Sequence, residues 1–179
     1  MATNASCQGP MTTIIETRCQ PGGLDADVET AHIVPSSIIE ALRSDDDRKH
    51  AAVIWAILYR YFPGVRGSLE FLKDEVDSSS PLMMNVMTLE MCLHAQFRRF
   101  LLTLESMDVE HNCRVKPFPD FPGVYNRFLP SDGIVSFCSH DGGKSDLPNP
   151  ELMALHAAVA DTLHVTGRGK MIEGIVDDY

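Results

Sequence analysis

Val28-Glu29-Thr30-Ala31-His32-Ile33-Val34-Pro35 is the stretch on which the fold turns, a β-rich run that stops at a proline. Proline lacks the amide hydrogen a ladder needs, so Val28–Val34 reads as a strand or extended arm ending there. A second extended stretch is expected over Leu82–Thr88, followed at once by a helix over Leu89–Phe97. Strand and helix signals thus alternate within a short span, and the class predicted is α+β with helices outnumbering strands.

Working outward, Ser36 or Ser37 can cap a helix over Ile38–Arg43, with Ile38, Ile39 and Leu42 on one edge. Ser44 and Asp45-Asp46-Asp47 suit the positive end of a second helix, which carries Val53, Ile54, Ile57, Leu58 and Tyr61 up to Pro63-Gly64. A shorter helix is expected over Leu69–Val76. Leu101–Leu104 and Cys113–Lys116 pattern as paired strands across a polar turn. A loop rich in proline and aromatics fills Pro117–Pro130 and leads to a strand over Gly133–Cys138 and a tight turn at Asp141-Gly142-Gly143-Lys144. The last helix is the best marked, with Asn149 at the cap, Pro150 and Glu151 in the first turn, and Gly167 as the stop. Upstream, residues 1–13 read as a loose polar leader, and Ile14–Arg18 as a short strand or helical turn before Pro21-Gly22-Gly23. Residues 14–179 are read as one domain.

The chain has 179 residues, 25 acidic against 15 basic, for a formal charge of −10. A surface that negative repels phosphate backbones, which disfavours non-specific nucleic-acid binding. No apolar run approaches the roughly 18 residues of a membrane helix, and the first 20 residues lack the basic start and apolar core of a secretory signal. Cys7, Cys19, Cys92, Cys113 and Cys138 form no CxxC pair, so free thiols in a reducing, cytoplasmic setting are expected.

Seven histidines carry the candidate chemistry. His50, His111 and His140 lie in polar sequence and read as surface residues. His32, His94, His156 and His164 are embedded in apolar sequence, where a neutral imidazole can be buried with its hydrogen bonds satisfied or can wall a pocket. On a helical wheel His156 falls between Leu152, Val159 and Leu163, inside the core-facing arc, whereas His164 lies near its edge.

The segment Thr30–Pro35, taken with Asn85, Leu89, His94 nine residues after Asn85, and Phe97, resembles the HNH motif of ββα-metal nucleases in the form typical of fungal HNH-nuclease-like proteins. Cys19 with Pro21-Gly22-Gly23 resembles a shortened form of that family's opening. Leu147–Leu152, Ala154-Leu155-His156 and Leu163–Gly167 resemble its C-terminal helix, so the likeness covers roughly residues 14–170. It implies an HNH-like core of strand, strand and helix, elaborated with additional helices and a C-terminal helix. It further implies that His32 is the general base, that Asn85 holds it, and that His94 ligates one divalent metal, zinc or magnesium. The chain departs from the pattern in three places. Ala31 stands where a metal ligand usually precedes the base, Val86 where a glycine commonly follows the asparagine, and Arg98-Arg99 is the sole basic pair near the motif.

Three readings follow. In the first, the protein is a small-molecule acid–base enzyme that performs a non-redox cyclisation, isomerisation or addition–elimination. A buried His32 would be the base, Asn85 its orienting or oxyanion partner, and His94 or His156 the acid or a zinc ligand. Met83, Met84, Met87, Met91 and Phe97 could line a pocket for a hydrophobic substrate or simply pack the core. The resemblance makes a natural-product pathway the expected setting. In the second reading the protein is a metal-dependent DNA endonuclease, and in the third a non-catalytic binding protein on the same fold. Both catalytic readings require His32, Asn85 and His94 to meet. An exposed part of the Trp55–Phe62 helix could serve a dimer contact.

Overall fold

The computed structural model describes residues 15–16, 27–40, 48–74, 83–138 and 146–167. The polar leader, the Pro21–Gly23 turn, the Asp45–Asp47 helix start, His140 and the Asp141–Lys144 turn lie outside them. In chain order the elements are β1 (Ile15–Glu16), β2 (Val28–His32), α1 (Ser36–Glu40), α2 (Arg48–Tyr61), α3 (Arg66–Asp74), β3 (Val86–Glu90), α4 (Met91–Arg98), β4 (Leu102–Ser106), β5 (Asn112–Pro117), β6 (Ile134–Phe137) and α5 (Pro150–Val165). Single 3₁₀ turns cover Pro63–Val65, Met83–Asn85 and Gly123–Phe128. The class is α+β, as the sequence predicts, although among the described residues six strands stand against five α-helices, so helices do not outnumber strands. One antiparallel sheet runs β1-β6-β5-β4 and the other is the pair β2-β3.

The β2–β3 pair is formed by residues far apart in the chain, with Val28 opposite Glu90, Ala31 opposite Met87 and His32 opposite Val86. Alternation along β2 sends Ala31 into the core, 0% exposed, and leaves Thr30 and His32 on the outer face. The strand stops at His32 rather than Val34. Ile33 and Val34 bend away because Asn85 captures the backbone there, as described below.

Leu89 and Glu90 are strand, not the start of the helix. Leu89 pairs with Glu29, and Glu90 is the N-cap of α4, its carboxylate accepting from the Leu93 amide at 2.9 Å. The stretch expected to be extended from Leu82 begins only at Val86, behind the Met83–Asn85 turn. The helix expected over Leu69–Val76 runs from Arg66 to Asp74, and the Pro117–Pro130 loop contains a 3₁₀ turn.

At the far end, α5 begins as predicted. Asn149 Oδ1 accepts from the amides of Glu151 and Leu152, its Nδ2 donates to Ser68 on α3, and its amide donates to Met84 O. That one residue ties α5 to α3 and to the turn before β3. From there α5 lies along β4. The main core joins Ala31, Ile33, Trp55, Leu69, Met87, Phe97, Leu104 and Leu152, and a smaller cluster around Leu93, Leu102 and Phe121 sits beneath the Gly123–Phe128 turn. Met87 and Phe97 are therefore core packing, while Met91 is largely exposed. On α2, Trp55 points inward, and Val53, Ile57 and Tyr61 face outward.

Candidate functional site

Asn85 sits where the chain leaves its 3₁₀ turn to enter β3 and is 1% exposed. Its Oδ1 accepts from the Val34 amide at 2.8 Å and its Nδ2 donates to the Val34 carbonyl at 2.9 Å. The Asn85 backbone carbonyl takes the Ile33 amide at 2.9 Å. The residue thus locks the bend that follows His32. Its carboxamide is engaged with the Val34 backbone, so its hold on His32 runs through the bend of the chain.

His32 ends β2 on the solvent side. The expected buried base is an exposed one, because strand alternation gives the interior position to Ala31. His32 pairs in the ladder with Val86, next to Asn85, whereas His94 Nδ1 is engaged by Glu29.

His94, on the first turns of α4, is held quite differently. Its Nδ1 lies 2.7 Å from Glu29 Oε2, with the His94 side chain 16% exposed and that of Glu29 46%. Glu29 was not singled out from sequence. The signal was present in the strand period, since Glu29 stands two residues before Ala31 and shares its face, the one turned toward α4. An imidazole with one nitrogen engaged by a carboxylate can take up or release a proton at the other, or use it to bind a metal.

The divalent metal implied for His94 needs more than this pair. A catalytic zinc site takes about three protein ligands. Ala31 supplies none, Glu29 and His94 are bonded to each other, and among the described residues no three His, Cys, Asp or Glu side chains gather. Among the described residues the donors do not fit such a three-ligand zinc centre.

His156 is 5% exposed and is packing, not a pocket wall. Its ring stacks on Phe97 with centroids 3.7 Å apart and lies 4.7 Å from Phe100. Its Nε2 is 3.2 Å from the Phe97 carbonyl, and its Nδ1 is 3.2 Å from Thr103 Oγ1. The carbonyl can only accept, so Nε2 carries the hydrogen and Nδ1 accepts from the threonine hydroxyl. Burial lowers its pKa to about 4 against the opposing effect of the Phe97 carbonyl, and the ring is neutral at pH 7. Both of its nitrogens are engaged in the interior. His164 likewise donates from Nε2 to the Phe100 carbonyl at 2.8 Å and stacks on Phe118.

No family model, curated protein or solved structure matches the chain. Among the described residues no helix is long and apolar enough to cross a membrane. The cations that could have made a basic groove are partly spent, Arg66 on Glu70 and Lys116 on both Glu105 and Asp161. Cys92 and Cys113 are free thiols.

Proposed function

We propose that the protein is a non-redox acid–base enzyme acting on a small organic molecule, with His94 at the centre of its site. One observation carries the reading: a partly sheltered imidazole has Nδ1 engaged by Glu29, while the ring's other nitrogen has no hydrogen-bond partner among the described residues. A group in that condition can remove a proton from an enol, a phenol or a carbon beside a carbonyl and return it elsewhere, which is the chemistry of cyclisation and isomerisation. The base role moves from His32 to His94, since His32 stands on the opposite face of β2 about three residues, or roughly 10 Å, from Glu29. The charge of −10 favours a neutral or cationic substrate over a polyanion.

Proton abstraction can be measured without the natural substrate, using the ring opening of 5-nitrobenzisoxazole and the hydrolysis of p-nitrophenyl acetate between pH 6 and 9. His94→Ala is expected to lower kcat/KM by about 10²-fold or more, and His32→Ala to change it by less than about twofold. Equal rates for wild type and His94→Ala overturn the reading. The order β2, β3, α4 with a histidine on the helix favours a second one, an HNH-like metal-dependent endonuclease. Nicking of supercoiled plasmid with Mg²⁺, Mn²⁺ or Zn²⁺, abolished by chelation and by His32→Ala, would establish that activity instead.

A further inference from the structure

We infer that Glu29 is a positioning residue that selects the tautomer of His94 and so assigns the proton transfer to Nε2; the inference rests on the acid–base reading above. A carboxylate at neutral pH can only accept, so its 2.7 Å contact places a hydrogen on His94 Nδ1. The lone pair of the neutral ring is then on Nε2, and Nε2 has no hydrogen-bond partner among the described residues. His156 and His164 are held in the opposite sense, each donating from Nε2 to a backbone carbonyl. Both kinds of histidine therefore occur in one chain. Two are fixed with the donor hydrogen on Nε2, where it serves packing, and one is fixed with it on Nδ1, which leaves the basic lone pair on Nε2.

The backbone makes this contact available. Glu29 and Ala31 share one face of β2, and β2 packs against α4, which carries His94. A pair as exposed as Glu29–His94 adds little to stability, so holding the fold together is a poor account of it. In turnover, Nε2 takes the substrate's proton and the ring becomes imidazolium, while Nδ1–H stays directed at the Glu29 carboxylate, which stabilises the added charge. Returning the proton from Nε2 to the product restores the neutral ring. No cofactor or electron acceptor enters the cycle.

Long-range ¹⁵N–¹H correlation spectra of the full chain at pH 8 report which nitrogen is protonated, the His94 signals being assigned by their loss in His94→Gln. The wild type is expected to carry the hydrogen on Nδ1, and Glu29→Ala to shift the majority to Nε2 with an unchanged circular dichroism spectrum. A hydrogen on Nε2 in the wild type, or the same tautomer in Glu29→Ala, overturns the assignment. Glu29→Gln serves as a second, isosteric variant and should give a mixture, since its amide can present either an acceptor or a donor. On the nitrobenzisoxazole probe, Glu29→Ala should lower kcat about 10- to 100-fold with KM within about twofold, and Glu29→Asp should recover part of the loss. The tautomer readout needs no substrate, so absence of turnover counts against the acid–base reading alone.

Discussion

His156 shows how much one buried imidazole can demand of its surroundings. Its folded-state pKa of about 4 lies below the usual 6.5, so between those values the unfolded chain binds the proton and the folded chain does not. Stability linked to this residue is therefore complete above about pH 6.5 and is lost progressively as pH falls toward 4. The shift corresponds to about 3 kcal/mol at the acid end. Thermal unfolding followed from pH 7 to pH 4 should show the midpoint falling across this window. His156→Phe can keep the stack on Phe97 and should flatten that part of the profile. At pH 7 it should cost about 1–3 kcal/mol, because the Phe97 carbonyl and the Thr103 hydroxyl lose their partner. That His156 faces the core was legible from its place on the helical wheel. That the core meets it with a carbonyl, a hydroxyl and two phenyl rings was not, since those groups come from α4, β4 and the turn between them.

Among the elements, α4 repays attention at both ends. It starts on Glu90, whose side chain caps the helix that a hydropathy reading begins at Leu89. The same two residues complete the β3 ladder, so local propensity for helix lost to pairing with a strand about 60 positions away. It stops with Leu101 N bonded to Gln96 O and Phe100 N to Phe97 O, a closing pattern that sets residue 100 at φ 58°. Glycine is the usual occupant of that conformation. Phenylalanine is retained here with its ring against His156 and its carbonyl receiving His164. Phe100→Ala should be more destabilising than Phe100→Gly by about 1 kcal/mol, since both lose the ring but only glycine relieves the backbone. Chemical denaturation of the three proteins gives the ranking, and an alanine variant at least as stable as the glycine one would contradict it. By contrast, both ends of α5 were readable in advance, because Asn149, Pro150 and Gly167 act locally and need no knowledge of the rest of the chain.

For the whole molecule, charge decides what it can meet. With a net −10, and with Arg66 and Lys116 already paired to carboxylates, the protein should not retain plasmid or duplex DNA on a filter at about 0.15 M salt. Retention that weakens steeply with added salt would show a local basic surface outweighing the total. The α+β class and the strands of the larger sheet were legible from alternation and turns. The meeting of Glu29 with His94 was not, because it depends on where α4 crosses β2, and helix and strand are separated by a long excursion of chain. That excursion has a consequence for how the molecule is made. His32 and Val86 are ladder neighbours, yet roughly 50 residues depart and return between them, and the Asn85 clasp on Val34 draws the two ends of the detour together. The zipper between β2 and β3 cannot start as an ordinary hairpin does. It must wait for that wide loop to close, which makes the Asn85 clasp a contact that forms late in folding.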